Sequence, residues 1–160
     1  KIRLERRCVA DAWADYETVY AQSWKPEEGS PQFVRHLAER EGAAGCLRMA
    51  VAYIDDRPVA AQFWTFENGI ALIHKLAHTE DTVTFSPGSL LTHALMREVI
   101  DVDKAMEVDF GTGDDRYKRD WMEQSRPRFR IDALRPTAPA NWPVMAKAML
   151  YRLAGRDFAG

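Results

Sequence analysis

Between residues 47 and 77 the chain uses one device three times: an apolar run closed by a turn signal. Leu47–Ile54 is largely apolar and reads as a buried strand. Asp55-Asp56-Arg57-Pro58 turns the chain into a second run, Val59–Phe66. Asn68-Gly69 follows, a dipeptide that tolerates the positive φ angles of a tight hairpin. A third run, Ile70–Ala77, completes an antiparallel meander. Everything else in the chain has to pack on that sheet.

The flanking segments change period. From Asp11 to Trp24, the aromatics Trp13, Tyr16, Tyr20 and Trp24 recur at steps of three and four, predicting a helix with one aromatic face. Lys25-Pro26-Glu27-Glu28-Gly29 breaks it. A second helix opens with Ser30 as N-cap and Pro31 in the first turn, carries Phe33, Val34, Leu37 and Ala38 as its stripe, and closes at Gly42. After the meander, Pro87–Lys104 reads as a helix with Leu91, Ala94, Leu95, Val99 and Val102 on one face. Met106–Phe110 alternates as a short strand, Gly111–Arg116 is a polar loop, and Tyr117–Met122 is a helical turn. Pro127–Leu134 reads as a further strand. A last helix, Trp142–Ala154, places Trp142, Met145, Ala146, Met149, Leu150 and Leu153 together and stops at Gly155. The order predicts one mixed-sheet α+β domain over residues 1–160.

Composition narrows the function. The chain is 46% hydrophobic, enough for a full core, and its net charge of −2 lacks the basic excess of a nucleic-acid binder. Lys1–Arg7 and Arg126–Arg130 read as solvated surface. Two cysteines, Cys8 and Cys46, make neither a disulfide framework nor a zinc site, so a reducing, cytoplasmic setting is expected. No run reaches the ~18 apolar residues of a membrane span. The chain begins at Lys1 without Met, as a piece cut from a longer protein would.

Three constellations carry chemistry. In Ser86-Pro87-Gly88-Ser89-Leu90-Leu91, a helix start offers free N–H groups and a partial positive charge, which favour an anion such as a pyrophosphate. Ser86 can cap, Pro87 presets the turn, and Gly88 leaves room for a phosphate; the same residues also suit a plain helix start. The second, Asp109-Phe110-Gly111-Thr112-Gly113-Asp114-Asp115-Arg116-Tyr117-Lys118, sits where a strand gives way to a helix, a common ligand position. Asp-Phe-Gly occurs in protein kinases, but this chain is too short and lacks their other motifs. A calcium loop lacks its closing Glu. The third is His74-Lys75 with His78 and Glu80. Strict alternation would put His74 with Leu72 and Leu76, and Lys75 with Ile73 and Ala77. No metal is expected, since His74, His78 and His93 lack both a helical pair and a thiolate.

Taken together, His74-Lys75-Leu76-Ala77-His78-Thr79-Glu80, Ser86–Leu91 and Asp109–Lys118 resemble the GNAT acyltransferase superfamily, in its CelD/BcsL-like branch related to the FemAB transferases. That branch reads Lys-Leu-Ala-Tyr-Asp, then Ser-Pro-Gly with two leucines, then Asp-Phe-Gly-x-Gly-Asp with Tyr-Lys. The match runs from about Val51 to Trp121; His78 and Thr79 depart from the usual Tyr and Asp. The resemblance implies a mostly antiparallel mixed sheet flanked by helices and an acyl-CoA co-substrate. Ser86, Pro87, Gly88, Ser89 and Leu90 would receive the pyrophosphate, with Gly111 and Gly113 beside the rest of the cofactor. Pantetheine would thread between the strands ending near Ala77 and Phe110.

The expected reaction moves an acyl group from the thioester to an amine of a small molecule or a cell-envelope precursor. The enzyme must position the reactants, deprotonate the amine and stabilise an oxyanion. Candidate bases are His78, Glu80, Asp109 and Asp114, with Asp109 favoured for its place at a strand end. Tyr117 is the candidate proton donor to the thiolate. Lys75 or Lys118 would polarise the carbonyl or bind a substrate carboxylate. Two alternatives stay open: FemAB-like transfer from aminoacyl-tRNA, and a non-catalytic module docking through its first or last helix. The acceptor, the acyl length, an acyl-carrier donor and homo-oligomerisation are also open.

Overall fold

A computed structural model describes residues 1–113, 115–129, 131 and 133–154. They fall into two compact units, Lys1–Met122 and Glu123–Gly160.

The first unit is built on a five-stranded sheet in the order β1 (Ile2–Glu5), β2 (Leu47–Ile54), β3 (Arg57–Glu67), β4 (Ile70–His78) and β5 (Glu107–Asp109). The first four strands are antiparallel neighbours, and β5 alone runs parallel, beside β4. This is the expected mixed, mostly antiparallel sheet flanked by helices. Both hairpins turn where the sequence places them: Asp55 and Asp56 have φ of 48° and 59°, and Asn68 and Gly69 have 52° and 80°. Such paired left-handed residues match the twist of the strands they join.

β1 was unforeseen. Residues 1–7 read as solvated charge, yet Ile2–Glu5 pairs with Met49–Ala52. Its charges are used locally: Arg3 holds Glu5 at 2.7 Å and Asp11 at 2.8 Å.

Helices α1 (Ala10–Ala21) and α2 (Pro31–Ala43) cover one face, where Trp13, Tyr16, Val34 and Ala38 pack on Leu47, Met49 and Phe63. The aromatic rings meet closely: Trp13 and Tyr16 lie 4.7 Å apart, and Tyr16 stands edge-on to Phe63 at 5.8 Å. Burying side chains of that size contributes about 1.5–3 kcal/mol each. Three expectations need correction here. α1 ends at Ala21, so Trp24 lies beyond the helix, freed by the break that follows. Phe33 is exposed on α2, because Val34 and Ala38 already fill the contact. Gly42 lies inside α2 and does not terminate it; the left-handed residue after the helix is Gly45, at φ 77°.

α3 (Pro87–Arg97) covers the other face, with its Leu91 and Leu95, and Val99 just beyond it, against Ala50, Ala60 and Trp64. The predicted helix Pro87–Lys104 continues past Arg97 as a π-turn, Glu98–Val102. Its end is held by a buried pair that the sequence concealed within an apolar strand. Arg48, 5% exposed, grips Asp103 through two bonds of 2.6 and 2.9 Å. A short helix α4 (Arg116–Arg119) follows β5.

In the second unit a 3-10 turn, Pro139–Asn141, leads into α5 (Trp142–Leu153), close to the expected helix. Trp142 Nε1 donates to Pro136 O at 2.9 Å. The expected stop at Gly155 lies outside the described residues. The expected strand Pro127–Leu134 is not formed among the described residues. A strand needs a ladder, and that unit holds no other described strand to supply one.

Gly42 provides a test of how α2 seats. A methyl group there would lie 2.7 Å from the backbone nitrogen of Cys8, whereas one on Gly29 would meet nothing within 4 Å. Gly42→Ala should therefore destabilise the chain by about 1–3 kcal/mol in denaturant titrations despite alanine's better helix propensity. Gly29→Ala should not; equal midpoints for the two variants would show that the close approach is not limiting.

Candidate active site

The parallel ladder between β4 and β5 is short. Ile70, Ala71 and Leu72 pair with Glu107, Val108 and Asp109, and there it stops. β4 continues through Ile73–His78 with no described strand on that side. Just beyond the stop is a bulge: Trp64 pairs with Ile73 and Phe63 with Lys75, leaving His74 as the extra residue. A bulge bends its strand and adds twist, so past Leu72 β4 turns out of the parallel ladder and its edge there has no described partner strand.

The bulge also corrects the expected faces. Ile73 packs with the α3 side, while Lys75 sits opposite Phe63 on the α1 side. His74 stacks on Phe63 at 5.4 Å and 14°, with Nε2 2.9 Å from Thr65 Oγ1. His74 and Lys75 therefore share a face, against strict alternation.

Lys75 is not free. Its Nζ lies 2.6 Å from Glu28 Oε2 and 5.8 Å from the Tyr20 ring centroid. Glu28 belongs to the segment between α1 and α2, beside a cavity of about 410 Å3 lined by Trp13, Tyr16, Tyr20, Lys25 and Glu28, among others. Burial lowers the Lys25 pKa, and the charge of Lys75 lowers it further; Asp115 and Lys118 also act on it.

Beyond the ladder the chain leaves β5 as a loop. Gly111 and Gly113 are left-handed, at φ of 72° and 99°. A side chain on Gly111 would begin 3.9 Å from the Ile73 carbonyl oxygen, so the loop still runs close to β4 there. Asp109 Oδ1 accepts the Gly111 N–H at 2.6 Å, and Lys118 Nζ donates to Thr112 O. Both expected site residues thus brace the loop. Tyr117 packs on Phe110, its rings 6.4 Å away, and burial followed by the charge of Asp115 pushes its phenol pKa up. Asp114 lies outside the described residues.

At the end of β4, a 3-10 turn (Glu80–Phe85) leads to Ser86. Glu80 is exposed on that turn. Ser86 is left-handed (φ 48°, ψ 46°), a strained state for a residue with a side chain, and makes no capping bond with its hydroxyl. This corrects its expected cap role. Pro87 has no N–H, and the helical ladder begins with Leu90 N–H to Ser86 O at 3.1 Å. The amides of Gly88 and Ser89 thus precede the ladder without a side-chain cap. Ser89 and Leu90 are exposed, while Pro87 and Gly88 are buried.

Gln62 fixes this helix start to the sheet. Its Nε2 donates to Gly88 O at 2.8 Å and to Thr92 Oγ1 at 2.9 Å, and its Oε1 accepts Trp64 Nε1–H at 3.0 Å. A methyl group on Gly88 would sit 3.4 Å from His78 Cδ2, an ordinary van der Waals separation, so the imidazole lies close beside that glycine. His78 is covered by Trp24, with ring centroids 4.2 Å apart. Its Nδ1 lies 3.2 Å from Thr79 O; a carbonyl only accepts, so Nδ1 is the donor in that contact. Thr79 is buried and bonded to Thr82 at 2.9 Å, a structural pair.

The structure places Lys75 and His78 on β4 past its parallel ladder, Gly88 of the Ser86–Leu90 turn against His78, and Gly111 near Ile73. Trp24, Lys25, Glu28 and Gln62 were missed. The sequence signal available was the Pro26–Gly29 interruption, which marks a loop without telling where it lies.

A family model described as an acetyltransferase (GNAT) domain matches residues 3–119. The chain belongs to the GNAT acetyltransferase family. The match ends within α4, so β4, β5 and the first turn of α3 lie inside the GNAT domain. Solved structures agree in fold. An aminoglycoside antibiotic 6'-N-acetyltransferase from Acinetobacter haemolyticus superposes with a TM-score of 0.60 at 11% identity, over 84% of this chain and 99% of that one. A ribosomal-protein-alanine N-acetyltransferase from Brucella melitensis biovar Abortus 2308 gives 0.57 at 14%, over 83% and 99%. A protein from Clostridium acetobutylicum, described as a predicted acetyltransferase and crystallised with acetyl-CoA, gives 0.61 at 9%, over 82% and 95%. No curated protein matches the chain in sequence. Among the described residues, no group of three His, Cys, Asp or Glu side chains could hold a metal ion, and no helix is long and apolar enough to cross a membrane.

The bulge histidine gives a pH test. Burial lowers the His74 pKa below its ordinary 6.5. Between the two values the unfolded chain binds more protons, so stability is present above 6.5 and is lost as the pH falls through the folded value. Thermal melts at pH 7.5 and 5.5 should show a larger loss for the wild-type chain than for His74→Gln, which keeps a partner for Thr65. Equal losses would exclude His74 as the group responsible.

Proposed function

We propose that the GNAT domain transfers an acyl group from an acyl-CoA thioester to the amine of a small molecule. The carrying observation is the edge of β4 over Ile73–His78, paired with β3 on one side but with no described strand on the other, which runs toward the uncapped first turn of α3. An extended thioester arm fits such a strand edge, and a diphosphate fits free amides at a helix start. The acetyl-CoA held by the Clostridium acetobutylicum neighbour supports this donor. The N-acetyltransferases among the neighbours support an amine acceptor.

On this reading the pyrophosphate lies on the Gly88 and Ser89 amides in the turn Ser86–Leu90, and Gly111 and Gly113 let the opposite loop approach the arm. The amine nitrogen attacks the thioester carbon, the C–S bond breaks, and coenzyme A leaves as the thiol. His78 Nε2 takes the amine's proton, directly or through water; the engagement of its Nδ1 with Thr79 O and its place at the end of the open edge support it over Asp109, which is engaged with Gly111. Tyr117, held protonated by its raised pKa, supplies the thiolate's proton. Lys75 and Lys118 keep Glu28 and the loop in place. The three sequence blocks support placement in the CelD/BcsL-like branch.

Ser89→Glu tests the donor site. A glutamate in the first turn suits the helix dipole and should not lower Tm, but it sets a negative charge where the pyrophosphate would rest. Acetyl-CoA affinity by calorimetry should fall about tenfold or more. Wild-type affinity in the variant would contradict the assignment.

A further inference from the structure

Gln62 is out of place by composition. It lies mid-strand on β3, between Ala50 of β2 and Leu76 of β4, and is fully buried on the α3 side, where Ala60, Trp64 and Leu91 pack. A side-chain amide there costs desolvation free energy that an apolar residue of its size would not. Hydrogen bonds offset the cost, and its nitrogen and oxygen are both engaged. Nε2 donates to Gly88 O at 2.8 Å and to Thr92 Oγ1 at 2.9 Å, while Oε1 accepts Trp64 Nε1–H at 3.0 Å.

The direction of these bonds is set by their partners. An indole N–H only donates and a backbone carbonyl only accepts, so one orientation of the amide serves both. Gly88 O also accepts from Thr92 Oγ1 at 3.0 Å, which holds it from a second side. The Gly88 carbonyl and the Ser89 N–H belong to one planar trans peptide and point opposite ways. Holding that carbonyl in the interior therefore aims the Ser89 N–H out of the helix start. The Ser89 amide precedes the helical ladder, which begins at Leu90. Ser86 lends no cap and Pro87 has no N–H, so the aim of that amide depends on Gln62.

We propose that Gln62 is a positioning residue for the donor. It joins the Trp64 indole N–H to the Gly88 carbonyl, and so aims and polarises the Ser89 N–H that receives the diphosphate. Buried hydrogen bonds in such a chain strengthen one another. Gln62 and Trp64 are both fully buried and act through the peptide, not on the reacting atoms. This deepens the acyl-transfer reading and rests on it.

NMR on the whole, isotopically labelled chain tests the relay without any substitution. Acetyl-CoA should move the Ser89 amide proton downfield, and the buried Gln62 side-chain amide and Trp64 indole protons with it. Titrations of Gln62→Met then separate positioning from simple support of the fold. Acetyl-CoA should bind that variant about tenfold more weakly. S-acetylpantetheine, which carries the thioester arm without phosphates, should bind within about twofold of wild type. A folded variant that keeps wild-type acetyl-CoA affinity, or that loses both ligands alike, overturns the proposal. So does a Ser89 amide that responds while Gln62 and Trp64 stay still, a result that decides the matter even where Gln62→Met does not fold. Each of these leaves the donor reading standing. Acetyl-CoA that does not move the Ser89 amide sinks the donor reading itself, and this inference with it.

Discussion

Ile73 and Lys75 point to opposite sides of β4 because His74 is inserted between two residues that pair with consecutive positions of β3. That insertion falls next to the last parallel pair, Leu72 with Asp109. The strand therefore bends away from β5 where it would otherwise continue the ladder, and the backbone groups of Ile73–His78 are left on an open edge. Open edges tend to recruit another extended chain. Here the walls set what can enter: α3's first turn at one end, the glycine-containing loop opposite, and the α1–α2 segment on the far face. Stacking on Phe63 and the contact with Thr65 hold His74 in the bulged position.

The second constraint is the seating of α3. Its first turn has no cap, and Ser86 takes a strained backbone, yet the turn is fixed because Gln62 spans from the sheet to Gly88 and Thr92 in the buried interior. A buried amide with all of its bonds made specifies one geometry. His78 lies against the same turn, under Trp24. The uncapped helix start, His78 and the open strand edge are thus brought together by backbone-level constraints, and rigidity of this kind is what a positioning enzyme requires.

Local signals in the sequence carried far. Asn68-Gly69 and Asp55-Asp56 both form turns with left-handed residues, and the spacing of Trp13 and Tyr16 places them in the core, because each depends only on neighbours a few residues away. The Ser86-Pro87-Gly88 helix start is present too, though it is Gln62 from the sheet that holds the turn. Non-local features were out of reach. β1 exists because Ile2–Glu5 finds β2 some fifty residues on, and nothing within residues 1–7 announces that. A bulge breaks period two without changing composition, so the faces of His74 and Lys75 could not be read from alternation. The aromatic repeat ran on to Trp24, but the helix stopped at Ala21 and Trp24 went to His78. The Tyr16 and Glu28 cavity needs three segments at once, and Pro127–Leu134 had strand-like residues but no ladder to join.

The central claim, that the edge of β4 past the bulge receives the thioester arm, is open to hydrogen–deuterium exchange with and without acetyl-CoA. The account requires added protection over Ile73–His78 and at Gly88–Leu90, with β1 and β2 unchanged. Saturating acetyl-CoA that leaves Ile73–His78 exchanging as in the free protein, or that protects another surface instead, would contradict it.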